Sequence, residues 1–283
     1  MPRNKIRSLG QIAVANAWFD LVERDGPPRY SFHLDVSFRR ERIGGEEGDP
    51  ARFRVALKEC EVVVLLPTGE TELRIDRRTI ATHRSSRSVE RTREQVSSQA
   101  LQGTAGMEVG PEVFGARANA AAGLERATKE TTTSRSEGPP LLGQRSATRE
   151  GDLSWVISRN DGSDFLDDVL WDAKMEPRFE IVDGRDERVQ ERDARTQIYP
   201  TFTVEVRCRS EDLRIDEIEL TDPDERGLLS RLGAPKKRQK AAEALIKREL
   251  QMNGLRVGDI HQPYSRLVVG DLIVALVEDA TAE

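Results

Sequence analysis

The sequence predicts a mainly β fold, a β-rich α+β protein with an antiparallel, sandwich-like body. Three observations support this prediction. Short runs of alternating apolar and polar residues recur along the chain, polar turn sequences separate them, and strands and helices do not alternate regularly. A long stretch of low hydrophobicity interrupts this pattern in the middle of the chain, and an amphipathic helix lies towards the C-terminal end.

The clearest strand covers residues 30–38, in which every second residue is apolar. This alternation predicts a half-buried strand whose inner face carries Tyr30, Phe32, Leu34, Val36 and Phe38. His33 and Asp35 then lie on the exposed face. The same reasoning buries Val204 and Val206 and exposes Glu205 in a strand over residues 202–208.

A second alternating run begins at residue 53 and changes phase near residues 58–60 before resuming at 62–66. A phase change inside one strand is typical of a β-bulge. The turn sequence at 67–70 and the strand at 71–76 together predict a hairpin.

Further strands follow the polar middle segment. They are expected near residues 153–157, 179–181 and 202–208, at 213–220 with a second phase change, and at 267–277 as a continuous apolar strand inside a sheet. Residues 165–171 form a short apolar segment whose secondary structure the sequence does not decide. Residues 12–22 fit either a helix or a strand. Neither flank of the middle segment has enough strands for two covered sheets, so residues 1–83 and 150–283 are expected to form one domain.

The predicted helix covers residues 235–253, with Pro235 in its first turn and Gly254 as the left-handed residue after its end. Its apolar stripe consists of Ala242, Leu245, Ile246 and Leu250. A cluster of four basic residues at the start of this helix opposes the helix dipole. These candidate anion contacts are Lys236, Lys237, Arg238 and Lys240. Their alternative role is to solvate the helix end.

The middle segment, residues 84–149, is predicted as an insertion that forms a hairpin or is disordered. Its core, residues 84–137, has charged, hydroxyl-rich flanks and a small-residue centre with Gly106, Gly110 and Pro111 near the midpoint. As a strand, residues 114–124 would place six apolar side chains on one face, as a membrane β-hairpin requires. These candidate membrane or partner contacts are Phe114, Ala116, Ala118, Ala120, Ala122 and Leu124. Alanine favours helices over strands, so a loosely helical or flexible segment is the competing interpretation.

The remaining chemistry-bearing residues nominate no metal, cofactor or catalytic site. His33, His83 and His261 lack metal-ligand spacing, and the acidic group at 161–168 departs from the calcium-loop pattern. Cys60 and Cys208 fall in predicted strands, where they act as small apolar residues. Two isolated cysteines favour a reducing cytosol over an oxidising compartment.

The leading hypothesis is therefore a non-catalytic binding or scaffold protein whose insertion engages a protein partner. Two alternatives remain open: a membrane-inserting protein that uses residues 84–137 as a hairpin, and an enzyme without a recognisable motif. Nucleic acid is not an expected partner, because a net charge of −6 provides no general attraction to phosphate.

Overall fold

The computed structural model of the chain describes residues 5–67, 72–81, 141–147, 152–171, 173–174, 176–220 and 230–277. The fold has the predicted class: sandwich-like, rich in β-strands, and with every described strand pair antiparallel. The predicted insertion core at 84–137 lies outside the described residues. His83 and the six candidate contacts from Phe114 to Leu124 lie outside them as well.

The described strands are β1 (Lys5–Ser8), β2 (Ala13–Val22), β3 (Arg29–Phe38), β4 (Glu41–Gly44), β5 (Ala51–Leu57), β6 (Cys60–Leu65), β7 (Leu73–Asp76), β8 (Leu141–Ala147), β9 (Leu153–Arg159), β10 (Asp168–Leu170), β11 (Phe179–Asp183), β12 (Thr201–Arg209), β13 (Leu213–Leu220) and β14 (Arg266–Ala275). The helices are α1 (Glu187–Thr196) and α2 (Ser230–Met252).

The strands form three sheets. A six-stranded sheet has the order β1-β14-β12-β6-β9-β8, and a three-stranded sheet has the order β13-β5-β4. In the third sheet β3 is central, with β2, β10 and β11 as its neighbours and β7 beside β11. Strands from before residue 82 pair with strands from after residue 140 in all three sheets. The six-stranded sheet includes β8, which lies within the predicted insertion at 84–149.

Four phenylalanines join the β3 sheet to the six-stranded sheet. Phe19 packs on Phe32 at 4.9 Å between ring centroids, and Phe32 packs on Phe179 at 4.8 Å. Phe19 also contacts Phe202 of β12 at 5.1 Å, which brings the two sheets together. All four side chains are fully buried. The predicted inner residues Phe32, Leu34, Val36, Val204 and Val206 are buried too, which confirms the strand phase.

Two predictions about strand connections are wrong. The phase change at residues 58–60 is a crossing between sheets, because β5 belongs to the three-stranded sheet and β6 to the six-stranded one. The described strands do not form the predicted hairpin at 67–76, since β7 pairs with β11 and β6 pairs with β12 and β9. Alternation reports which side of a strand is buried and carries no information about the neighbouring strand, so both errors have the same cause.

Other strand predictions are confirmed. β13 shows the predicted irregularity as a register shift between Asp216 and Glu219, and Glu217 there has a φ of 52°. β14 lies inside its sheet with β1 and β12 on either side. The two segments that the sequence left open are decided by the structure: residues 13–22 form a strand, and the apolar piece before Trp171 contains the short strand β10.

Helix α2 packs through the predicted stripe, since Ala242, Leu245, Ile246 and Leu250 are all buried. It begins at Ser230, so Pro235 lies inside the helix and not in its first turn. Pro235 lacks one backbone donor, but the preceding residues include good helix formers that extend the helix upstream. Gly44 allows the helix to approach closely: at its φ of +80°, an added Cβ would lie 2.7 Å from Leu245 Cδ2.

The phase of β3 predicts unequal effects of two neighbouring substitutions. Leu34→Ala removes a fully buried side chain and should lower the free energy of unfolding by about 2–5 kcal/mol. Asp35→Ala changes a half-buried residue, one not as exposed as predicted, and should cost about 1 kcal/mol or less. Urea unfolding measures both values, and equal losses would contradict the assigned phase.

Candidate functional site

The central strand β3 has an interrupted neighbour. β2 pairs with β3 along its whole length, from Arg29 to Phe38. A strand has only two edges, so β10 and β11 share the other edge. β10 covers Val36 to Phe38 and β11 covers Arg29 to Phe32. Residues 33–35 therefore lack a strand neighbour on that edge within the described part of the chain, and the chain between β10 and β11 leaves the sheet there.

The excursion between β10 and β11 brings together an aromatic and cationic group, the Trp–Arg cluster of Trp155, Trp171 and Arg178. Trp171 packs edge-on against Trp155 of β9, with ring centroids 5.2 Å apart. The guanidinium carbon of Arg178 lies 5.1 Å from the centroid of the Trp171 ring, which is a cation–π contact. Of the fully buried side chains in the described ranges, Arg178 is the largest.

Among the described residues, the Arg178 guanidinium is incompletely paired. Its Nη2 donates to the Glu176 carboxylate at 2.8 Å and to the Glu176 carbonyl at 3.1 Å. Its Nε and Nη1 have no hydrogen-bond partner among the described residues. Burial lowers the pKa of Arg178, and the hydrogen bond to Glu176 opposes this shift. Buried donors without partners each cost about 1–3 kcal/mol, so this is an energetically unfavourable place for a guanidinium.

Backbone strain is present at the same place. Trp171 has a φ of +67°, a left-handed conformation that is unusual for a bulky residue. Its ring packs closely over Gly143 of β8, where an added Cβ would lie 3.4 Å from Trp171 Cζ2. Backbone strain at Trp171 and an incompletely paired buried charge at Arg178 are both unfavourable for folding. Unfavourable features of this kind concentrate at functional sites.

His33 of β3 holds the excursion to the sheet in what we call the His33 clasp: His33, Trp18, Asp20 and the Ala173 carbonyl. Nδ1 of His33 lies 2.5 Å from Ala173 O, and Nε2 lies 3.1 Å from Asp20 Oδ2. Trp18 stacks on the imidazole at 5.1 Å and donates from Nε1 to Asp20 at 3.2 Å. Both ring nitrogens of His33 therefore face acceptors, and each forms a hydrogen bond when it carries a proton.

The exposure predicted for His33 and Glu205 is wrong, because both are buried. The chain between β10 and β11 covers His33, because Ala173 lies against the imidazole ring. Glu205 lies under two arginines: Arg207 Nε donates to it at 2.7 Å, and Arg256 forms a second ion pair with it. Both residues occupy the polar face that the alternation assigned to them, but side chains from other parts of the chain cover that face.

The Trp–Arg cluster also contacts the described residues on both sides of the stretch 82–140. Before the gap, the Ala81 amide donates to the Arg178 carbonyl at 2.8 Å. After the gap, β8 begins at Leu141 and passes under the Trp171 ring at Gly143. The described residues that flank this stretch on its two sides therefore contact the same cluster.

The basic residues of α2 lie elsewhere in the fold. Lys236, Lys237, Arg238 and Lys240 are exposed along the helix, and none belongs to the Trp–Arg cluster or the His33 clasp. Because α2 begins at Ser230, these four residues lie beyond its first turn. The effect of the helix dipole on a charge is already weak there. The expected destabilisation of the helix by these positive charges is therefore small.

The other sequence candidates are engaged in structural contacts. Asp161 pairs with Arg159, whose hydrogen bond lowers the Asp161 pKa, and Asp164 pairs with Arg214. His261 Nδ1 lies 2.8 Å from Glu243. Within the described ranges, no three His, Cys, Asp or Glu side chains form a group that could hold a metal ion.

Cys60 and Cys208 are free and buried in β6 and β12. Burial raises the pKa of both thiols, so the reactive thiolate is disfavoured at each position. This environment agrees with their expected role as small apolar residues.

No family model, curated protein or solved structure matches this chain. Among the described helices, none has both the length and the apolar character needed to cross a bilayer.

Sequence reasoning missed the Trp–Arg cluster. Arg178 precedes an alternating strand and has no periodic signal of its own. One signal was present: the two apolar pieces at 165–171 and 179–181 are separated by a short polar stretch, as two halves of an interrupted strand would be. The chain has only three tryptophans, and all three belong to the cluster or the clasp.

Replacing Arg178 tests the energetic cost assigned to its buried guanidinium. Arg178→Met keeps a flexible, unbranched side chain, although a shorter one, and removes the donors that have no partner among the described residues, while Glu176 remains 46% exposed to water. The free energy of unfolding should stay the same or rise by about 1–4 kcal/mol. Chemical denaturation gives this value, and a loss of about 3 kcal/mol or more would instead indicate a fully paired guanidinium.

Replacing the basic cluster of α2 tests whether it has a binding role. Changing Lys236, Lys237, Arg238 and Lys240 together to Gln should alter stability by no more than about 0.5 kcal/mol. The parent protein should not bind polynucleotide or anionic vesicles. Binding by the parent that weakens steeply with salt, and that disappears in the Gln variant, would identify the cluster as an anion site.

Proposed function

We propose that this chain is a non-catalytic binding or scaffold protein whose inserted segment, residues 84–137, engages a protein partner. The supporting observation is the attachment of the segment's two flanks to a single cluster: Ala81 bonds to Arg178, and Gly143 lies under Trp171. Binding segments are commonly carried by a rigid scaffold that fixes their two ends.

The residues around these two contacts belong to paired strands, which would hold the ends of the inserted segment in place. Trp155 and Ile157 of β9, which pairs with β8, are buried, and β9 also pairs with β6 inside the six-stranded sheet. On the other side, Thr79 accepts a hydrogen bond from the Glu180 amide of β11 at 2.7 Å. Each flank thus continues into a paired strand. The two free, buried cysteines also fit the cytoplasm as the proposed compartment.

Site-specific photo-crosslinking in cells tests the proposal. A photoreactive amino acid in place of Phe114 should give a discrete protein adduct that an excess of the unlabelled parent protein suppresses. The matched control places the same group at Tyr264, a described residue that is 76% exposed and remote in sequence from the segment. Adducts of the same protein at both positions, or at neither, would contradict the proposal.

The membrane-inserting alternative gives a different result. Release of dye from anionic or neutral vesicles by the parent protein, with no competed adduct at Phe114, would replace the proposed function with membrane insertion. We expect no release.

Removing the segment should separate folding from binding. With residues 84–137 replaced by a short Gly/Ser linker, the protein should stay soluble and unfold cooperatively, because paired strands occur on both sides of the segment. This variant should fail to compete for the adduct at Phe114. Calorimetry follows the unfolding, and loss of the cooperative transition would mean that the segment belongs to the core.

A further inference from the structure

The buried guanidinium of Arg178 has unused binding capacity. A guanidinium carries five N–H donors in a planar fork that matches a carboxylate. In Arg178 only Nη2 has acceptors, both from Glu176, while Nε and Nη1 have none among the described residues. The side chain is 1% exposed, so bulk water does not compensate these donors.

Glu176 provides the route from solvent to this guanidinium. Its side chain is 46% exposed, yet its carboxylate reaches Arg178 Nη2 at 2.8 Å. Displacing one exposed side chain would thus bring an external group next to a buried cation. Trp171 already covers one face of the guanidinium, which restricts access to the edge of the fork.

We infer that Arg178 is a binding site for a carboxylate group, and that the Glu176 carboxylate occupies this site in the free protein. The guanidinium then exchanges an internal carboxylate for an external one. A carboxylate suits the site better than phosphate, because bringing a group with more charge into a buried position costs more desolvation energy. The inference concerns residues outside the inserted segment, so it can fail while the proposed function stands.

Acetate titration, followed by intrinsic tryptophan fluorescence, tests the inference. Trp171 lies against Arg178 and should report occupation of the site directly. The parent should show a saturable change with sodium acetate that sodium chloride at equal ionic strength does not reproduce. Glu176→Ala should bind acetate at least about fivefold more tightly, because removing the internal competitor raises the binding-competent fraction.

Glu219→Ala is the matched control. Glu219 also pairs with an arginine, Arg52 at 2.5 Å, but it is exposed and belongs to the three-stranded sheet. This variant should bind acetate as the parent does. Arg178→Met should lose the saturable response. If that variant fails to fold by circular dichroism, the comparison of Glu176→Ala with Glu219→Ala still decides the question.

Two further ligands define the source of the carboxylate. A blocked peptide with a single glutamate should compete with acetate, and tighter binding of the peptide than of acetate would assign the site to a protein partner. Weaker binding of the peptide would assign it to a small carboxylic acid. A response to inorganic phosphate without one to acetate, an unchanged response in Arg178→Met, or equal acetate affinity in Glu176→Ala and the parent would overturn the inference.

Discussion

The contact between Phe19 and Phe202 is the constraint on which the rest of the structure depends. It joins the β3 sheet to the six-stranded sheet, and Phe32 and Phe179 extend the aromatic contact across β2, β3 and β11. With these rings inside, Trp18 and His33 must lie on the opposite face, since side chains alternate along a strand. A one-residue slip would exchange the two faces and place His33 in the core. The clasp therefore depends on the same packing as the core.

The strand phases were predictable because burial leaves a period of two in the sequence. β3, β9, β12 and β14 carry strong apolar alternation or continuity, and the structure has a strand at each of them. Helix α1 was missed for the same reason: its residues from Glu187 to Thr196 are almost all polar, and only Asp193 is buried. Ion pairs attach that helix to the fold, since Arg185 pairs with both Asp183 and Asp193. Ion pairs of this kind leave no periodic pattern in the sequence.

The partners of each strand were not predictable. β6 follows β5 after two residues yet belongs to another sheet, and β7 pairs with a strand that follows the undescribed middle segment. The candidate site was hidden for a related reason: it arises where β10 and β11 leave β3 uncovered, and that gap is a property of pairing. Arginine usually lies at the surface, and the sequence does not show that the Arg178 side chain is buried against the Trp171 ring and the Glu176 carboxylate.

The pairing of β1 with β14 has a consequence for how the chain is made. In the described part of the chain, β14 is the only strand that pairs with β1, and it follows all the other described strands in sequence. During synthesis β1 must remain unpaired while the described strands β2 to β13 emerge, and unpaired strands favour association between nascent chains. Lys5 and Arg7 place positive charge on this short strand, and charge on an edge strand opposes such association.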